Sequence, residues 1–580
     1  MPHYLVSWGD PRDRLYDVTI RFTAPNDIPR LLLPAWRPGR YLIQNYAANV
    51  REWGGSHRVW KDGKTSWRAG ARAGEAVTVT YRYYAGILDA GSSFLDDDEA
   101  YINGTNLFML VEGLRGEEHR LTIAAPAEWR IETQLPRVIL SREDGEGPPA
   151  DSASSVLAPG VPRCARDDTS FLARDYDHLL DSPVIAAAAM TRYTFSEGGA
   201  RFHLIFRGGE GIDTEQFVEP TRVIARTQAE LFGGLPFREY RFLYHVRDKW
   251  HGVEHEDSCS IIVKRSALFD AEGYDHLLLI AAHELFHAWN VKRIVPAKFA
   301  PYDYWTETPT RLLWAMEGLT SYYGALSLVR GGIWTVARYL EHLRKEIETL
   351  EALPARLHLP LSQAGFDGWL SDPAQMHDHP NAWYSFYTKG EIVSALLDLT
   401  IRTASNGTKS LDDVMRLLWE QRILEEDAVE RAVAQVADTG DFFARYVDGV
   451  EPLPYAELFA AAGVAFASRP RAGSSLGAKV KMADGLLIAE NVIRGGAGMA
   501  AGLLPNDELL SLDGTRTASE AALATALRAF RIGDSAELLV VRAGVVKRLS
   551  LEGRPDPRPE ITLRAVQPNE FRRGWLHVSS

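Results

Sequence analysis

The sequence has only two cysteines, Cys164 and Cys259, among its 580 residues. So few cannot make a disulfide framework, which leaves a reducing compartment, or indifference to redox conditions, as the expectation. Long apolar runs are missing as well: no stretch approaches the ~20 residues of a membrane-spanning helix. The N-terminus, Met1-Pro-His-Tyr-Leu-Val-Ser-Trp-Gly-Asp10, has neither a basic n-region nor an apolar h-region. As given, the chain reads as cytoplasmic; one already trimmed of a leader would read the same and be periplasmic. Positive charge is in deficit, with a formal net charge of −13. Neither nucleic acid nor an anionic membrane surface is therefore an expected partner, because both require a basic face.

What is present is an ordinary globular composition, 46% hydrophobic and 24% charged, long enough for three or four domains at about 150 residues each. Within it, Tyr274-Asp-His-Leu-Leu-Leu-Ile-Ala-Ala-His-Glu-Leu-Phe-His-Ala-Trp-Asn290 reads as an apolar helix with no Gly or Pro to break it. Residues four apart on a helix lie one above the other, so His283 and His287 point the same way and can share one Zn²⁺. Glu284, beside them, is placed to hold a water and take its proton. A catalytic zinc needs a third protein ligand. The best candidate is Glu317, thirty residues after His287 in Trp314-Ala-Met-Glu-Gly-Leu-Thr-Ser-Tyr-Tyr-Gly324. A carboxylate in such apolar company should be paired or bound to metal. Thr308-Pro309 reads as the N-cap and first turn of its helix, and Gly318 suggests close packing against the first helix. Asn290, Thr320 and Asp303 are candidate partners for the imidazoles, with nothing to select among them.

Around this core the texture divides the chain into an N-terminal antiparallel β domain (1–175), a catalytic domain of a small sheet plus a mostly helical part (176–466), a compact β module (470–556) and a tail (557–580), a multidomain α+β protein. Alternating runs such as Leu15–Phe22 and Ala76–Tyr83 mark the first. The acids Asp96-Asp97-Asp98-Glu99 read most simply as a solvated loop, with a share in a cationic pocket as the alternative, and Ser141–Ser155 as a loop. Ser258–Val263 is a short strand placed to pair with an extended peptide. Helical spacing runs from Tyr274 to about Ala465, Arg469–Ser475 looks like a linker, and Glu560–Val566 is a strand laid on another domain.

His283 to Pro296, His-Glu-Leu-Phe-His-Ala-Trp-Asn-Val-Lys-Arg-Ile-Val-Pro, resembles the signature of the glycyl aminopeptidase family of zinc metallopeptidases. These are gluzincins with an N-terminal β domain, a thermolysin-like catalytic domain and a C-terminal PDZ domain. Trp314–Tyr323 resembles the family's second motif, whose Glu is the third zinc ligand. The resemblance implies one catalytic zinc ion and peptide substrates with a free N-terminus and a small first residue, Gly or Ala. Gly252-Val-Glu-His-Glu-Asp-Ser258 resembles the element in which a glutamate, here Glu254, holds the substrate's α-amine, although His251 precedes Gly252 where a glycine is usual. Tyr384-Ser-Phe-Tyr-Thr-Lys-Gly-Glu391 resembles the Tyr-x-Lys-Gly element and implies Tyr387 as the hydroxyl that steadies the oxyanion, with Tyr384 as its rival. Ser475-Leu-Gly-Ala478 and Gly496–Gly514 resemble a PDZ domain, whose loop could capture a peptide C-terminus. An endopeptidase of the same chemistry, and a PDZ scaffold with an idle metal site, are the alternatives.

Overall fold

The computed structural model describes residues 1–138, 169–371, 378–566 and 569–577. Cys164 and the expected loop Ser141–Ser155 lie outside the described residues. The chain divides into two compact units, Met1–Arg293 with Pro301–Thr308, and Ile294–Ala300 with Pro309–Ser580.

The first unit opens with a six-stranded sheet in the order Thr169–Ala173, His119–Ile123, His3–Trp8, Leu15–Thr23, Ala76–Tyr84, Val50–Gly55. Alternation forms it: Tyr16, Val18, Ile20 and Phe22 point inward along one strand and pack on Tyr4, Val6, Val79 and Tyr81. Within this β domain His3–Trp8 and His119–Ile123 run parallel, a pairing made possible by the long chain excursion between them.

A five-stranded sheet follows: β1 (Thr191–Glu197), β2 (Ala200–Arg207), β3 (Glu239–Arg247), β4 (His251–Glu254) and β5 (Ser258–Lys264), in the order β1-β2-β3-β5-β4. Helix α1 (Val218–Phe232) is the crossover between the parallel strands β2 and β3, and α2 (Ala271–Phe286) follows β5. Ser258–Lys264 is paired on both sides, with β3 and β4. With both of its sides taken, Ser258–Val263 has no free edge for the expected pairing with a peptide; the edge strand beside it is β4. Helix α2 is capped by Asp270, whose side chain accepts from the Gly273 amide. Its buried Leu277, Leu278, Ala281, Ala282 and Leu285 fix its rotation. Gln228 of α1 donates to the Ala282 carbonyl at 2.7 Å, and Phe232 stacks on Trp289 at 5.1 Å.

The acidic run is not wholly a solvated loop. Glu99 begins a strand, Glu99–Ile102, that pairs with Val184–Ala187, and its carboxylate is completely buried. It accepts from His245 Nδ1 at 2.6 Å and Arg247 Nη2 at 2.5 Å, with Arg207 Nε at 3.8 Å. Burial pushes the Glu99 carboxyl up; His245, Arg247 and Arg207 outweigh it and hold the group below its ordinary value.

In the second unit the segment with Glu317 begins at Leu313 rather than at Thr308-Pro309. It makes one π-helical turn, Trp314–Gly318, before α3 (Leu319–Arg330). The Thr310 hydroxyl accepts from the Leu312 amide and serves as the local cap. Helices α4 (Val336–Glu351) and α5 (Phe386–Ala404) follow. The close contact of Gly318 is with α5: a Cβ on Gly318 would lie 2.5 Å from Gly390 Cα, and one on Gly390 would lie 2.9 Å from Gly318 Cα. The partner is thus the glycine of the Tyr-Thr-Lys-Gly element. Ser410 and Asp413 form a reciprocal capping box before Leu411–Gln421.

The C-terminal module is a β sheet, with Ala478–Ala483 at one edge and Val545–Glu552 at the other, beside the helix Glu520–Ala529. Its core is Leu476, Leu487, Leu509, Leu538 and Leu551. Arg469–Ser475 is no free linker: Val464–Ser474 is a strand paired with Pro555–Ala565. Pro470 and Gly473 are tolerated because the ribbon is two-stranded and shifts register there. Asn381 fastens the module to the helices, donating to the Val492 carbonyl at 2.8 Å and accepting from the Arg494 amide at 2.7 Å.

Two outcomes are expected. Glu99→Gln leaves buried cations without their counter-ion and should lower the unfolding free energy by about 3–5 kcal/mol in a denaturant titration at neutral pH. Because the folded pKa is depressed, wild type holds this stabilisation above the ordinary glutamate pKa and loses it as the pH falls through the folded value. Gly318→Ala or Gly390→Ala should cost about 1–3 kcal/mol by overpacking, read as a lowered midpoint with helical circular dichroism retained.

Candidate functional site

The site is built at the C-terminal end of α2. The rings of His283 and His287 lie one turn apart with their Nε2 atoms 3.0 Å from each other. Bond lengths of about 2.0–2.1 Å to a tetrahedral zinc put two ligand nitrogens roughly 3.3 Å apart, so the pair has the spacing of two imidazoles facing one cation. His287 is 1% exposed, and its Nδ1 donates to the backbone carbonyl of Asn290 at 2.9 Å. That bond puts the proton on Nδ1 and leaves Nε2 as the electron-pair donor. The Asn290 main chain therefore orients the ring. The chain turns there through Val291 at φ +89°. For a β-branched residue this is a strained conformation of the kind concentrated at functional sites.

Of the other candidate partners, the Thr320 hydroxyl donates to the Met316 carbonyl. The Asp303 carboxylate accepts from the amides of Trp305 and Thr306 within its own turn.

Glu284, on the same helix, faces the edge strand β4. A Cβ on Gly252 would lie 2.0 Å from Glu284 Oε1, so glycine is required at the point where strand and carboxylate meet. Two residues on, Glu254 is 4% exposed and its Oε1 has no hydrogen-bond partner. Oxygen atoms of Glu254 and Glu284 and a ring nitrogen of His287 lie within 4.8 Å of one another. Two carboxylates that close are favourable only with positive charge between or beside them.

The N-terminal domain meets Glu254 through its main chain. Gly39, at φ +78°, sits where a Cβ would be 2.4 Å from Glu254 Oε2. Beside the pair, Lys292 Nζ lies 2.8 Å from Asp181, which also accepts from His255 Nδ1 at 3.1 Å. Burial pushes the Asp181 carboxyl up, but Lys292 and His255 outweigh it and hold the carboxyl well below the usual range. Burial also lowers Lys292, and Asp181, Tyr302 and Glu254 together raise it above its ordinary value. His251, at the position where a glycine is usual, turns into the N-terminal domain. Its Nδ1 accepts from the Ala90 amide at 3.2 Å, and burial, with Arg37, pushes its pKa down to about 4.

His283, His287, Glu284, Gly252 and Glu254 are thus brought together in the first unit. Glu317, Tyr384 and Tyr387 belong to the second. Glu317 is 1% exposed in the π-helical turn, a backbone irregularity that recurs at functional sites. The two tyrosines differ in burial. Tyr384 is buried and donates to the Leu359 carbonyl at 2.7 Å while accepting from Lys389 at 3.1 Å. Tyr387 is half-buried in the first turn of α5, where Ser385 caps its amide. Gly39, Asp181 and Lys292 escape the sequence reading. The Pro38-Gly39 turn and the Asn-Val-Lys292 step out of the helix are their only local marks.

In the C-terminal module, Ser475–Ala478 leads into the edge strand Ala478–Ala483. Gly477 and Gly496 meet there main chain to main chain. A cleft of about 830 Å³ between that strand and the helix Glu520–Ala529 is lined by Leu476, Val480, Leu523 and Leu527.

Comparison with known proteins gives three family matches along the chain: the Peptidase M61 N-terminal domain over residues 3–188, M61 glycyl aminopeptidase over 276–393 and a PDZ domain over 474–552. No curated protein matches. Among solved structures, an aminopeptidase N family protein from Idiomarina loihiensis is 27% identical, with a TM-score of 0.89 over 99% of this chain and 100% of that one. An M1 zinc metallopeptidase from Deinococcus radiodurans is a more distant likeness, 14% identical over 78% of this chain and 94% of that one, with a TM-score of 0.45. With both peptidase models matched in order, and near-complete overlap with an aminopeptidase N family fold, the chain belongs to the M61 glycyl aminopeptidase family of metallopeptidases and carries a PDZ domain.

Proposed function

We propose that this metallopeptidase is a zinc aminopeptidase. His283, His287 and Glu317 hold one zinc ion, Glu284 moves the protons, Tyr387 stabilises the oxyanion and Glu254 receives the free α-amine. The observation that carries the reading is the conjunction within the first unit of two facing imidazole nitrogens with a buried Glu254 oxygen that has no partner of its own. Two His and one Glu are a donor set suited to catalytic zinc, which when bound polarises a carbonyl and acidifies water.

The rest of the chemistry belongs to the chain. Glu284 takes a proton from the attacking water and passes it to the departing amine. Tyr387 donates to the oxygen on which charge develops, a role that the hydroxyl of Tyr384, committed to Leu359 and Lys389, is poorly placed to share. Glu254 pairs with an ammonium and stops a longer chain from running deeper. The glycine main chains pressed on Glu254 and Glu284 support a small first residue, Gly or Ala, on the substrate. The cleft of the PDZ domain is suited to a peptide C-terminus added along its edge strand. No helix among the described residues is long and apolar enough to cross a membrane.

Glu284→Gln should lower kcat by about 10²–10⁴ with zinc content unchanged; full activity in that variant would overturn the reading. Glycyl and alanyl peptides should be cleaved and their N-acetylated forms spared, and Glu254→Gln should shrink that difference by raising KM for the free peptides. Equal cleavage of blocked and free peptides would instead establish an endopeptidase. In Gly252→Ala the added methyl should displace Glu284, cutting kcat while zinc stays bound.

A further inference from the structure

Between the helices of the second unit and its two-stranded ribbon lies a cavity of about 270 Å³ that peptide hydrolysis leaves without a use. Its walls are mostly apolar, with Leu350, Leu357, Leu453, Phe466 and Ile561 among them. Two cationic side chains reach it, Lys389 and Arg356.

Lys389 is 3% exposed. An ammonium has three donors, and the hydrogen-bond partner of this one is the Tyr384 hydroxyl at 3.1 Å. That hydroxyl is neutral and has already given its own proton to Leu359. Arg356 bonds through Nη2 to Glu351 at 2.8 Å, and its buried Nε has no partner. Glu351 is further engaged by the Tyr455 hydroxyl at 2.9 Å. The other acid lining the cavity, Glu451, is paired with Arg445. The cavity wall therefore carries two cations against one available carboxylate. Burial, reinforced by Arg356 and only partly opposed by Glu351, pushes the Lys389 amine down to about 8. A buried cation short of counter-charge is costly to the fold, and a bound anion would relieve it.

We infer that this cavity binds a small apolar monocarboxylate, its carboxylate beside the Lys389 and Arg356 side chains and its tail against the apolar wall. With Glu451 neutralised by Arg445 from outside the wall, one positive unit is left in excess, which selects a monoanion over a neutral molecule or a dicarboxylate. The size follows from the volume: at about 30 Å³ per water-sized group the space holds roughly nine such groups, a branched-chain or aromatic acid. The site is distinct from the imidazole pair in its residues and its chemistry, and does not depend on the hydrolytic reading.

The test is calorimetric titration of the full-length, zinc-loaded chain with phenylacetate, and with its neutral isostere phenylacetamide, repeated on Lys389→Met and Arg356→Gln. The expected result is one phenylacetate per chain, with the amide at least tenfold weaker. Each variant should weaken phenylacetate at least tenfold while zinc content and circular dichroism stay as in wild type. Absence of phenylacetate binding, equal binding of acid and amide, or undiminished binding in the variants would overturn the proposal, the last by placing the acid elsewhere, on the metal for instance. Should Lys389→Met fail to fold, Arg356→Gln, at a partly exposed position, carries the same comparison alone.

Discussion

The position of one helix governs the rest of the site. Helix α2 is buried along Leu277, Leu278, Ala281, Ala282 and Leu285, and this packing leaves its rotation no freedom. Once that face is fixed, a four-residue spacing does the remaining work of aiming two imidazoles in one direction. The supports around it are mostly main chain. The Asn290 carbonyl holds a ring, and glycine backbones at positions 252 and 39 press on Glu284 and Glu254. Main chain cannot change rotamer, so groups held this way keep their geometry without many side-chain partners to hold them.

That preference for backbone explains how glycine is used in both units. Gly318 and Gly390 let the π-helical turn and α5 touch at Cα, and Glu317 and Tyr387, to which we assign chemical roles, lie within three positions of that contact. The glycine of Tyr-Thr-Lys-Gly thus has a structural purpose separate from that of its tyrosine.

Much of this was legible in advance, because it is local. Alternation exposed the strands, and apolar spacing exposed α2 and the helical stretch that follows it. The Gly-rich run before Gly514 marked the C-terminal module. What could not be read is what depends on distant partners. Glu99 looked like part of a solvated loop because its histidine is 146 residues away. The meeting of Gly39 with Glu254 spans two domains of sequence. Gly318 announced a close contact, but the expected partner was the first helix, whereas the backbone it meets is that of Gly390 in α5. The edge position of His251–Glu254 follows from sheet order, which no stretch of four residues contains. Val291 carries no glycine to advertise its left-handed turn; the strain is maintained by its surroundings.

The buried Glu99 cluster bears on how such an enzyme could be dissected. Strands β2 and β3 carry Arg207, His245 and Arg247, while their common anion is borne by the segment that matches the N-terminal domain model. A fragment trimmed to begin at the central sheet would inherit the positive side chains and lose what neutralises them. The β domain is therefore an electrostatic component of the peptidase fold itself, and any excision or domain swap must carry Glu99 with the sheet it serves.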